Sequence, residues 1–83
     1  MIKLLNADRA GDFLIDLHFS DGSSGLFNGA SYLQDRSGSL LEPLRSPDYF
    51  ERFFVDAGAL CWPNGLELSP QRLHELAGVA AAA

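Results

Sequence analysis

The stretch Phe13-Leu14-Ile15-Asp16-Leu17-His18-Phe19-Ser20-Asp21-Gly22 decides the fold. Phe13, Ile15, Leu17 and Phe19 are apolar at every second position, and Asp16, His18 and Ser20 fill the alternate ones, which is the period of a half-buried strand. Asp21-Gly22 follows at once. That dipeptide is favoured where both residues of a tight turn take positive φ, so the chain is predicted to reverse into a return strand over residues 23–28 that ends on Leu26 and Phe27. Working toward the N-terminus, residues 1–7 carry Ile2 and Leu4 on one face and read as a third strand, set off by a polar loop over residues 8–12.

Toward the C-terminus, Ala30-Ser31-Tyr32-Leu33 reads as a short helical turn and residues 35–39 as a loop. Leu40, Leu41 and Leu44 surround Pro43, which cannot donate to a ladder, so this segment reads as an apolar connection or an edge strand. Ser46-Pro47 and Ser69-Pro70 each place a capping hydroxyl before a proline suited to a first helical turn, and each is predicted to start a helix. Phe50, Phe53 and Phe54 then form one aromatic stripe at helical spacing. Leu73, Leu76 and Ala77 repeat the spacing before Gly78, and residues 78–83 read as a frayed apolar tail. Between the helices, Phe54-Val55-Asp56 and residues 59–62 are short β-rich stretches that bracket Ala57-Gly58, and Asn64-Gly65 marks a second hairpin returning through Leu66-Glu67-Leu68. The expectation is an α+β protein, one domain over residues 1–83: a small antiparallel sheet of about four to six short strands with two short helices packed on one face.

The 83 residues hold 6 basic and 11 acidic side chains, a net charge of -5. The basic residues are scattered from Lys3 to Arg72, which argues against nucleic-acid binding, and the negative balance favours encounter with a basic partner. Cys61 is the only cysteine, so no intramolecular disulfide forms within the chain, and a reducing compartment, the cytoplasm, is the expected location. No stretch reads as a signal sequence or approaches a membrane span of roughly 20 apolar residues.

No catalytic, cofactor or metal motif emerges. Asp16 and His18 share a strand face with Asp21 at its end, a conceivable metal or acid/base cluster whose plain reading is a solvated sheet face. Cys61 with His74, or Glu67 with His74, are the only other ionisable pairings worth weighing; Cys61 beside Leu60 and Trp62 reads as a small buried apolar residue and His74 as a surface position. Tyr49 and Trp62, with apolar rings and polar tips, are the aromatics expected to be half-exposed.

A spaced set of residues carries a family resemblance: Phe19-Ser20-Asp21-Gly22, Leu26-Phe27-Asn28, Glu42-Pro43-Leu44 followed by Phe50, and Trp62-Pro63-Asn64-Gly65-Leu66-Glu67-Leu68. Together they resemble the small bacterial family called domain of unknown function 2442, although this chain has Asn28 and Glu67 where the family more usually has Asp. The resemblance implies a compact α+β domain without an established enzymatic activity, often encoded beside a second small family in an arrangement similar to a toxin–antitoxin pair. With the acidic net charge and small size it leads to the expectation of a non-enzymatic, antitoxin-like interaction module that binds a small basic protein through its acidic surface, with Trp62, Asn64, Glu67 and Tyr49 as the candidate contact residues. A self-associating domain with edge strands pairing in a homodimer, and a small metal-binding or hydrolytic protein, are the alternatives.

Overall fold

The computed structural model describes residues 2–77. At its centre β2 (Leu14–Phe19) pairs antiparallel with β1 (Leu4–Gly11) on one side and β3 (Ser24–Asn28) on the other. Ile15, Leu17 and Phe19 point into the core and Asp16 and His18 away from it, as the alternation requires. The polar loop expected over residues 8–12 is instead the second half of β1, continuing to Gly11. Its alternation is concealed because the inward position holds only Ala7, and two register shifts, between Leu4 and Asn6 and between Arg9 and Gly11, break the period. Phe13 does not begin β2. It occupies the turn with φ 59°, its carbonyl accepting from Gly29 N–H at 2.7 Å, while its ring meets Phe50 edge-on.

The Asp21-Gly22 reversal differs in type from the expected one. Only Gly22 has positive φ, and Phe19 N–H bonds Ser23 C=O across a three-residue loop, with Gly22 N–H returning to the Phe19 carbonyl. The Asn64-Gly65 turn repeats this pattern: Trp62 N–H bonds Leu66 C=O, and Gly65 N–H bonds the Trp62 carbonyl. In both loops the side chain before glycine accepts the N–H two residues on, Asp21 from Ser23 at 2.9 Å and Asn64 from Leu66 at 3.1 Å. The turn with two positive φ values lies elsewhere, at Ala57 (51°) and Gly58 (80°).

That turn joins β4 (Phe54–Asp56) to β5 (Ala59–Cys61), and β6 (Glu67–Leu68) completes a second antiparallel sheet in the order β4-β5-β6. Among the described residues the strands therefore form two three-stranded sheets rather than one. Leu4 N–H donates to Gly58 C=O at 2.9 Å where β1 runs beside β4 and β5.

Among the described residues there are three α-helices, not two. In α1 (Gly29–Gln34) the Asn28 side chain caps Ser31 N–H at 3.1 Å. A 3-10 helix spans Glu42–Arg45, where an apolar connection or edge strand was expected. The helix begun at Ser46-Pro47, α2 (Pro47–Phe50), lasts one turn, and the Ser46 side chain makes no capping bond. A single uncapped turn gains little, and the β-favouring run Phe53-Phe54-Val55 takes the chain into β4. The aromatic stripe is thereby dispersed: Phe50 is in the core, Phe53 packs at its margin, and Phe54 is 45% exposed. In α3 (Pro70–Leu76) Ser69 accepts Arg72 N–H at 3.2 Å and Leu73 is fully buried, as the spacing predicts. The Gly78 stop and the frayed tail lie outside the described residues. The inner faces of both sheets and the helices close around Phe50, whose ring is met by those of Phe13, Phe27 and Trp62.

Candidate functional site

Of the four residues expected to meet a partner, Trp62 is corrected outright. It is 1% exposed, and its indole N–H donates to the Phe50 carbonyl at 3.0 Å, so the polar tip is satisfied inside the core instead of at the surface. Tyr49 is half-buried against the core with the Arg52 guanidinium 5.9 Å from its ring centre. Asn64 is occupied at both ends of its amide, donating to Leu40 C=O at 2.8 Å and accepting from Leu66 N–H. Glu67 is exposed on the outer face of the second sheet, level with Cys61 and Phe54 across the strands.

The ionisable groups separate into different places. Asp16 and His18 lie 3.2 Å apart on the outer face of β2. Asp21 does not join them; it turns to α3, where the Ser23 hydroxyl donates to its carboxylate and His74 Nε2 stands 3.2 Å from the same hydroxyl and 3.5 Å from Asp21 Oδ2. The Ser23 hydroxyl and backbone N–H, then His74, hold the Asp21 carboxyl below the usual carboxylate value. Serine and carboxylate thus both approach the same ring nitrogen, so the carboxylate does not orient the imidazole through its opposite nitrogen as a catalytic triad requires. His74 is half-buried and packs edge-on against Phe19, and Cys61 contacts the Ala59 carbonyl, so neither Cys61 with His74 nor Glu67 with His74 forms a hydrogen-bonded pair. Burial, then the Glu67 and Asp56 carboxylates, push the Cys61 thiol upward, away from thiolate chemistry. Among the described residues no group of three or more histidine, cysteine or acidic side chains is placed to hold a metal ion.

Two cavities flank α1 and share Asn28 and Ser31. One, of about 490 Å³, reaches Phe13 and Arg45; the other, of about 280 Å³, is walled by Phe27, Tyr32 and Leu76 with Arg36 at its rim. Among the described residues no carboxylate, histidine or cysteine lines either. The Arg45 guanidinium is committed to the Leu33 and Arg36 carbonyls, at 3.0 and 2.7 Å, and to Glu42, so it holds the end of α1 in place.

The face with unspent chemistry is the outer side of the first sheet. Register places Asp8 opposite Asp16 and Asp16 opposite Leu26, making one row across three strands. The Asn6 amide donates to Asp8 at 2.9 Å and His18 meets Asp16, while Leu26 is 47% exposed. Every arginine, by contrast, has an internal partner: Arg9 pairs with Asp12 and Glu51, Arg45 with Glu42, Arg72 with Glu75, and Arg36 and Arg52 lie over Tyr32 and Tyr49. Leu26 was read from the sequence only as the end of a strand. The signal that finds it is its position out of phase with the inward Phe27, once β3 is paired with β2.

Fold and surface together define a small α+β protein of two antiparallel three-stranded sheets with an acidic, partly apolar outer face. The chain belongs to the family described as protein of unknown function (DUF2442), whose model matches residues 7–78. No curated protein and no solved structure matches it. Among the described residues no helix is long and apolar enough to cross a membrane.

Proposed function

We propose that this chain is a non-enzymatic protein-interaction module that offers the outer face of its first sheet to a basic protein partner, resembling the antitoxin side of a toxin–antitoxin-like pair. The row Asp8–Asp16–Leu26 carries the reading. Like charges directly opposite on neighbouring strands cost stability, and a half-exposed leucine beside them gains nothing from water. A basic surface with apolar side-chain stems relieves both. The net charge of -5 and the internal commitment of the arginines support the same partner chemistry. Cavities lined by no carboxylate, histidine or cysteine give no support to a reaction. The antitoxin-like comparison rests on the gene arrangement that the family resemblance implies.

Co-expression with the product of the adjacent gene tests the reading. The two proteins are expected to elute together at low salt and to part as salt is raised. Separate elution at low salt overturns it. Self-association is the second reading, favoured by the position of β3 at the edge of its sheet; a scattering mass of 9.0 kDa across concentrations removes it.

A further inference from the structure

We infer that the open edge of β3 is a strand-docking site whose occupant is an extended segment of the basic partner, with apolar and basic side chains at alternate positions. The inference rests on the partner reading above and adds how that partner is held. Phe19 N–H bonds Ser23 C=O, and Gly29 N–H bonds Phe13 C=O, at the two ends of the β2–β3 ladder. Between them the register pairs Leu17 with Gly25 and Ile15 with Phe27, so the ladder bonds fall on Gly25 and Phe27. Ser24 and Leu26 therefore aim their N–H and C=O groups away from β2, and among the described residues no backbone group outside the ladder bonds to them.

Sheet edges are ordinarily blunted by charge, proline or a bulge. Ser24-Gly25-Leu26-Phe27-Asn28 has no charged residue and no proline, and its pairing with β2 has no register shift. The opposite edge is protected by charge, by bulges and by a covering bond: β1 carries Asp8 and Arg9, has two register shifts, and gives its Leu4 N–H to Gly58.

The surroundings of β3 specify the occupant. On its inner side, the cavity of about 280 Å³ lies among Phe27, Tyr32 and Leu76, between α1 and α3, with room for a large apolar side chain. Arg36, its guanidinium 4.3 Å above the Tyr32 ring, puts positive charge at this cavity and disfavours a basic side chain there. On the outer side, Leu26 adjoins Asp16 and then Asp8. A lysine on the added strand lays its stem over Leu26 and directs its amine toward these carboxylates. A second copy of this chain fits less well, because antiparallel β3 strands bring the Asp8 and Asp16 carboxylates of both chains onto one face.

The test titrates a blocked peptide of about seven residues, alternating leucine and lysine, into the full chain, followed by amide NMR. The expected shifts centre on Ser24, Leu26 and Leu76. Two further peptides carry N-methyl groups on one or the other set of alternate amides. One is expected to bind about tenfold more weakly, because its methyl groups face β3, while the other retains affinity. Equal binding by both overturns the inference, as does failure of the alternating peptide to bind. A peptide of the same composition with its lysines and leucines in separate blocks is expected to bind about tenfold more weakly; equal affinity overturns strand docking while leaving a basic partner in place. Leu26→Lys spares the ladder bonds and is expected to weaken the alternating peptide about tenfold with an unchanged melting curve. A doubled scattering mass that Leu26→Lys abolishes assigns the edge to a second copy and overturns the inference.

Discussion

The indole N–H of Trp62 donates to the main-chain carbonyl of Phe50 at 3.0 Å, tying the residue after β5 to the last residue of α2 within the core. Trp62→Phe keeps an aromatic ring but removes the donor and leaves that carbonyl buried without it. The variant is expected to lose about 2–4 kcal/mol of unfolding free energy in chemical denaturation. A loss under about 1 kcal/mol contradicts the anchoring role of the indole.

Gly29 opens α1 directly beneath the Phe50 ring. A Cβ there falls 2.3 Å from the ring carbon Cε2 and 3.1 Å from the Phe13 carbonyl. Gly29→Ala is expected to cost about 1–3 kcal/mol by overpacking, visible as a lower melting temperature. Combining it with Phe50→Leu should cost less than the sum of the two changes, and strict additivity counts against the clash.

Asp21 sets an acid dependence. Its folded pKa is held below the ordinary value of 3.8, first by the Ser23 hydroxyl and backbone N–H and then by His74. A depressed folded value contributes stability that is present above 3.8 and is lost as pH falls through the lower folded value. Asp21→Asn is therefore expected to flatten denaturation midpoints in that acid window while leaving the peptide contacts of β3 unchanged. An unaltered acid profile contradicts the Ser23 contact.

Cys61 should be a slow thiol. Burial, with Glu67 and Asp56 acting in the same direction, pushes its pKa above the ordinary thiol value. At neutral pH its reaction with an aromatic disulfide is expected to be about tenfold slower than that of free cysteine or less reactive still. Glu67→Gln should accelerate it modestly without altering secondary structure, since Glu67 stands opposite Cys61 on the outer face.

Asp8→Asn separates stability from recognition. It removes one of two directly opposed carboxylates while retaining a side chain able to bond Asn6. Denaturation midpoints should rise slightly, and affinity for a basic peptide should fall. A fall in both contradicts the assignment of a binding role to this row.

Much of the architecture was legible because local period and turn chemistry agree at β2, β3 and α3, where Ile15, Leu17, Phe19 and Leu73 all face inward. The second half of β1 was not, since Ala7 is too small to mark an inward position and the register shifts interrupt the alternation. Phe54 fits two patterns at once: the β-rich run Phe54-Val55-Asp56 is the strand β4, whereas the helical spacing from Phe50 misled because it persists in the sequence after the helix itself has ended. The candidate surface was hardest to read. Asp16 and Leu26 each sit correctly on a strand, but Asp8 meets Asp16 only through a pairing whose partner segment looked like a loop. The burial of Trp62 likewise depends on a carbonyl acceptor in α2 that no local pattern reveals.

The bond from Leu4 to Gly58 orders events during biosynthesis. Residues at the start of the chain emerge from the ribosome first, yet their acceptor is delivered only after the Ala57–Gly58 reversal has followed them out. Until then the hairpins of the first sheet lack this closing contact, which spans most of the chain and forms only when the later half is made.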